Sequence, residues 1–192
     1  TMVERDDLNG RAPDPQLLTD RAAQGVRTMG GALVGSLTAS ALDNNVHIAL
    51  NAPVTNLEYT SDTWHLTVAD TKTITAAAVV IASGGFDYNE RLRKTFLPLD
   101  VTPIGAPSNE GDGLELGMAA GASLRDMNAL WGVPIINAAG QTYDGKPTGR
   151  MGNVEMTLPG SITVNTAGHR FVNEALNYHD AARVFANIDP HT

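Results

Sequence analysis

Val79-Val80-Ile81-Ala82-Ser83-Gly84-Gly85-Phe86 is the stretch on which the fold turns. It closes a strand read over Thr73 to Ser83, whose apolar end Val79-Val80-Ile81-Ala82 suits burial on both faces, as in a parallel sheet. Gly84 and Gly85 end it, and without a Cβ at either position another group can approach the backbone closely. The carboxyl end of such a strand is where open α/β sheets meet dinucleotides. A tight turn alone also accounts for the two glycines.

Upstream, the pattern is that of a β-meander. Trp64, Leu66 and Val68 alternate with His65, Thr67 and Ala69, the signature of a half-buried strand. Thr60-Ser61-Asp62 makes a turn to a strand over Val54 to Tyr59, and Val46, Ile48 and Leu50 alternate in a further strand-like piece. Before that, Leu33, Val34, Leu37, Ala41 and Leu42 fall on one face at helical spacing, and Asp43-Asn44-Asn45 stops the helix. Residues 1–16, polar and with Pro13 and Pro15, read as a loop.

Downstream, Asn89 caps a short helix through Phe96. A second helix runs from near Asp112 to Gly121. Residues 134–160 are rich in Gly and Pro with little periodicity, a length that in compact domains is often a lid or binding loop. Ser161 to Asn165 reads as a strand, Gly168 as a turn, and a last helix carries Tyr178, Ala181, Ala182 and Phe185 on one side.

Composition excludes several classes of function. The net charge of −8 argues against a nucleic acid partner. There is no cysteine, so disulfides, thiolate catalysis and cysteine-based metal sites are ruled out. The five histidines show no metal-ligand spacing, so no metal is expected. The longest wholly apolar run, Ala76 to Ala82, is far short of the roughly 20 residues that span a bilayer. The first residues lack a signal-peptide pattern, and a cytoplasmic location is expected.

Two further segments carry possible chemistry. Pro107-Ser108-Asn109-Glu110-Gly111-Asp112-Gly113 opens a helix; Asp112 caps it, or the amides there face an anionic ligand. Gly160-Ser161-Ile162-Thr163-Val164-Asn165 precedes Gly168-His169-Arg170-Phe171-Val172-Asn173-Glu174, a strand, a turn and an aromatic anchor. Glu174 could pair with Arg170 in a helix, but the helix is expected to start later.

Taken together, these segments resemble one family. The Ala-Ser-Gly-Gly-Phe strand end, Asn-Glu-Gly-Asp-Gly-Leu with Ala119-Ala120-Gly121-Ala122, Ser-Ile-Thr-Val-Asn and Arg-Phe-Val-Asn-Glu stand in its order. So do Gly31-Ala32-Leu33 and Asn51-Ala52-Pro53-Val54. The chain is similar to soluble fumarate reductases, urocanate reductases, aspartate oxidases and 3-ketosteroid dehydrogenases, from about residue 25 onward. The resemblance implies an α/β fold: residues 1–89 as part of a Rossmann-like FAD-binding domain, with a β-meander and one parallel strand, and residues 90–192 as part of an α+β substrate-capping domain. It implies FAD as cofactor, with the Val54 backbone at the adenine, Ala82, Ser83 and Gly84 along the cofactor, and Asp112 approaching it.

The chain departs from that family in two respects. No Gly-x-Gly-x-x-Gly follows a strand, so the pyrophosphate-binding unit is missing and a fragment, inactive alone, is expected. Where fumarate reductases carry a proton-delivering arginine, four residues past Glu174, this chain has Tyr178. The Thr-Glu-x-x-x-Arg relay is also absent; the region reads Val154-Glu155-Met156-Thr157-Leu158-Pro159. This looks more like the 3-ketosteroid dehydrogenases, in which a tyrosine near this position takes a proton while hydride leaves the neighbouring carbon for the flavin. Desaturation beside a ketone needs such a base. Tyrosine is a poor base at its reference pKa of about 10, so its neighbours must stabilise the phenolate. Packing in a helix interface is the alternative for Tyr178. Trp131 either lines an apolar substrate pocket or fills the core. The substrate class is a small molecule, an apolar ketone or, as runner-up, an unsaturated carboxylate; a non-catalytic module is the third reading.

Overall fold

The computed structural model describes residues 14–97 and 99–188. Two compact units divide at Ala52 and Pro53. In the first, helix α1 (Pro15–Ala23) opens on Pro15 at its first turn, with the Asp14 carboxylate accepting from Gln16 N. Proline is preorganised for that position, a signal that the reading of residues 1–16 as a loop missed; residues 1–13 of that loop lie outside the described residues. Helix α2 (Met29–Asp43) ends at Asn44, and Asn45 takes a left-handed φ of 59°. Its apolar residues Leu33, Val34 and Leu37 are each more than 60 % exposed. Val46–Leu50 forms no strand; alternation supplies a face, but no described segment pairs with its backbone.

The second unit begins with the expected meander. Strands β1 (Val54–Thr60), β2 (Thr63–Val68) and β3 (Lys72–Ala76) form an antiparallel sheet in the order β1-β2-β3. Ser61 and Asp62 turn the first hairpin with φ of 50° and 59°, the two-residue geometry whose twist matches the strands. Leu57 lies opposite Leu66, and Tyr59 opposite Trp64 with ring centroids 5.0 Å apart. Leu57 and Val68 are buried.

The strand expected over Thr73–Ser83 stops early, β3 ending at Ala76, and the parallel strand expected in its apolar end is not there. Every strand pairing among the described residues is antiparallel, and residues 77–83 belong to no strand. Of the apolar run, Ile81 lies against helix α4 (Asp112–Ala119) at Gly113 and Gly117, while Val80 stays 89 % exposed. Periodicity reports which side chains are apolar and is silent on what their backbone bonds to.

Helix α3 (Glu90–Phe96) is capped by Asn89, whose Oδ1 accepts from Leu92 N at 3.1 Å. Leu92 is almost wholly buried, and the Phe86 and Phe96 rings stack tilted at 5.8 Å. The stretch after residue 134 resolves into nested hairpins, with β4 (Ile135–Ile136) paired to β7 (Arg150–Met151) and β5 (Thr142–Tyr143) to β6 (Lys146–Pro147). Helix α5 (Asn153–Thr157) follows. The strand expected at Ser161–Asn165 shrinks to one antiparallel bridge, Val164 to Arg170, around a turn held by the Asn165 side chain. Helix α6 (Tyr178–Ala186) closes the described chain, docked by an edge-on Phe171–Phe185 contact at 5.1 Å.

Candidate functional site: a side-chain-poor cradle and an aromatic cleft

Two places in the second unit gather the candidate residues. The first is built where α4 meets residues 81–84. Gly111 starts the helix with a φ of 91°, a conformation that suits glycine. A Cβ on Gly113 would collide with Ser83 Oγ and come within 2.5 Å of Ile81 Cγ2, so only glycine lets the helix start sit this close. Gly84 has a φ of 88°, and the Asn109 side chain lies over it where a Cβ would stand. Helix α4 also packs on β1, the strand that opens with Val54. Ser83, Gly84 and Asp112 are thus brought to one neighbourhood, with β1 on the same helix.

Asn109 is fixed on all sides. Its carbonyl accepts from Tyr88 N and its amide donates to Ala106 O, both at 2.9 Å. The next residue is held by Asn89 Nδ2, which donates to Glu110 O at 2.8 Å. Lys146, on the β5–β6 hairpin, pairs with the Glu110 carboxylate, donates to Pro107 O at 2.9 Å and stands 5.6 Å from the Tyr88 ring centre. The buried Thr148 donates to Pro103 O at 2.9 Å. Sequence reading did not single out Asn109, Lys146 or Thr148 for a role, because their partners lie 36 residues or more away along the chain for Lys146 and Thr148.

The cradle tests well against part of FAD. Ala82, Ser83, Gly84 and Gly85 form an exposed strip of small residues, and their backbone groups bond to no other described backbone group. A flat ring and a hydroxylated chain fit such a strip, with its free amides and carbonyls as partners. The exposed Asp112 carboxylate at the helix start accepts from hydroxyls and repels phosphate. The strip therefore suits the uncharged portion of the cofactor.

The second place is an open cleft of about 500 Å³ lined by Leu130, Trp131, Asn177, Tyr178 and His179. Asn177 caps α6, its Oδ1 accepting from Asp180 N at 3.0 Å, which sets Tyr178 at the first helical position. Tyr178 is 40 % exposed and Trp131 83 % exposed, so neither is a core residue. The Trp131 indole N–H donates to Tyr178 Oη at 3.3 Å. His179 Nδ1 is buried with no hydrogen-bond partner among the described residues. The hydrogen-bond partner of the tyrosine hydroxyl is thus not His179 or Asp180, close by in sequence, but Trp131 from a distant loop.

Before α6, Glu174 anchors the segment. Its buried carboxylate receives Arg170 Nη2 at 2.5 Å and the Thr163 amide at 2.6 Å. The Arg170 guanidinium, then the Thr163 N–H, hold its pKa down at about 2. The pair forms outside any helix, and the turn at Gly168, with a φ of 81°, folds the chain so that Thr163 on one arm and Arg170 on the other reach the same carboxylate. Among the described residues no group of His, Asp and Glu could hold a metal ion, and no helix is long and apolar enough to cross a membrane.

The chain is 37 % identical to the 4-oxocyclohexanecarboxylate 2-dehydrogenase of Sinomonas cyclohexanicum, over 98 % of this chain and 34 % of that one. It is 32 % identical to the 3-oxosteroid 1-dehydrogenase of Mycobacterium tuberculosis, over 80 % of this chain and 28 % of that protein. A solved structure, the 3-ketosteroid delta1-dehydrogenase of Sterolibacterium denitrificans in complex with 1,4-androstadiene-3,17-dione, superposes with a TM-score of 0.68 at 29 % identity, over 83 % of this chain and 30 % of that one. The chain thus spans about a third of the length of these relatives. The profile of the family described as FAD binding domain matches residues 11–190, and the chain belongs to that family, whose cofactor is FAD.

Proposed function

We propose that the protein of which this chain is part is an FAD-dependent dehydrogenase that introduces a carbon–carbon double bond beside a ring ketone. Tyr178 accepts the proton from the carbon next to the carbonyl. FAD, when bound, would supply the hydride acceptor for the adjoining carbon. The strip Ala82-Ser83-Gly84 would lie along the cofactor, Asp112 would approach its hydroxyls, and the Val54 backbone would meet its adenine. Trp131 and Leu130 present apolar surface to the substrate ring. Residues 1–89 belong to the cofactor half and 90–192 to the capping half, in a cytoplasmic enzyme.

One observation carries the reading: the cleft presents the Tyr178 hydroxyl among side chains of which none is lysine or arginine. A ketone ring needs a base and apolar walls, and Tyr178 with Leu130 and Trp131 supports that reading. An unsaturated dicarboxylate needs cationic partners for its charges, and the cleft lining offers no lysine or arginine.

The test is a flavin spectrum of the full-length, FAD-loaded protein under anaerobic conditions. Addition of androst-4-ene-3,17-dione or 4-oxocyclohexanecarboxylate should bleach the flavin band. Bleaching by neither, with rapid reoxidation of the reduced protein by fumarate, would replace this reading with reduction of an unsaturated acid.

A further inference from the structure

We propose that Trp131 is the positioning residue for Tyr178, its indole N–H holding the phenol oxygen so that the oxygen's free side faces the cleft. The inference rests on the role of Tyr178 given above.

The chemistry of the two side chains sets the direction of the bond. An indole N–H only donates, so Tyr178 Oη is the acceptor in the 3.3 Å contact. With or without its own proton, that oxygen has one lone pair committed to the indole. What remains points away from Trp131, into the space that both residues line.

Core packing does not hold the indole, which is 83 % exposed. The backbone places it. Gly132 is buried, and a Cβ there would stand 2.6 Å from Leu130 Cδ1 and 2.9 Å from Ala182 Cβ. The loop therefore touches α6 directly at Ala182, which is four residues, about one turn, beyond Tyr178 and on the same helix face. The Asn177 cap fixes the other end of that turn. His179 lines the same cleft but makes no bond through Nδ1. Trp131 is thus the partner that the fold delivers to the tyrosine, across 47 residues of sequence.

Two measurements on the full-length FAD-loaded protein test this. In a ¹⁵N spectrum the Trp131 indole signal, assigned by its loss in Trp131→Phe, should move upfield in Tyr178→Phe as the acceptor disappears. Turnover of a cyclic ketone by Trp131→Phe should show kcat lowered by about 3- to 10-fold, the worth of one neutral hydrogen bond, with KM little changed. An indole signal indifferent to Tyr178→Phe overturns the proposal. So does an unchanged kcat, or a raised KM alone, which would make Trp131 only a wall of the cleft. Full turnover by Tyr178→Phe, or turnover of neither ketone, sinks the reaction assigned above instead, and the indole signal then decides the pair by itself.

Discussion

Arg170 and Glu174 meet without a helix between them: the guanidinium reaches the buried carboxylate at 2.5 Å over irregular chain. The Thr163 amide donates to the same carboxylate, so one side chain joins both arms of the turn ahead of α6.

That junction predicts an acid-sensitive stability. Glu174 is depressed in the fold to about 2 from an ordinary 4.5. A depressed carboxylate contributes stability that is complete above its unfolded pKa and lost as pH falls toward the folded one. Stability should therefore decline between about pH 4.5 and pH 2, and less steeply in Glu174→Gln, which keeps an acceptor for Thr163 N. Denaturant unfolding across that window checks it; parallel profiles for the two proteins would show that Glu174 is not the group responsible.

Gly113 and Gly117 face the same Ile81 side chain but differ in the room available. Gly113→Ala must push against a stiff β-branched residue and a short serine, and should cost about 1–3 kcal/mol as overpacking does. Gly117→Ala meets only ordinary contacts, 3.6 Å to Ile81 Cδ1 and 3.7 Å to Ala122 Cβ. It should be neutral, or stabilising by up to about 1 kcal/mol through helix propensity. Equal effects of the two, measured by urea unfolding, would mean that α4 is not seated as described.

Tyr178→Phe keeps the ring and removes the hydroxyl. Turnover of a cyclic ketone by the full-length enzyme should fall by roughly 10²–10⁴-fold, the share of general base catalysis, with FAD content unchanged. Normal turnover in a fully loaded variant removes the tyrosine from the mechanism. Tyr178→Arg should not confer fumarate reduction, because no Thr-Glu-x-x-x-Arg relay stands before Ser161.

Lys146 ties the β5–β6 hairpin to the Pro107 and Glu110 end of the cradle. Lys146→Met deletes the ion pair and the hydrogen bond together. Amide exchange in residues 142–147 should accelerate by roughly 5- to 30-fold, the equivalent of one to two kcal/mol, while exchange in β2 stays as it was. No change in the hairpin would show that Thr148 suffices as its anchor.

The local elements were largely legible before any coordinates. The meander, the Asn89 cap, the α4 start and α6 follow from alternation, capping residues and helical spacing, all interactions between residues close in sequence. The glycine pair announced a close approach at Gly84, while Gly113 carried only a signal of turn geometry. The strand expected over Thr73–Ser83 shows the limit of such reading, since apolar content does not reveal whether a backbone finds a ladder.

The amino-acid sequence by itself determined helices α2, α3, α4 and α6, the meander and the membership of an FAD-binding family, because turn chemistry, caps and short motifs act over a few residues; α1, α5 and the hairpins after residue 134 are not in that reading. Only the tertiary structure decided which groups share a site. Trp131 meets Tyr178 across 47 residues, Lys146 meets Glu110 across 36, and Ser83 meets Gly113. Those contacts depend on where helices and loops come to rest against one another, a matter of packing that no local pattern encodes.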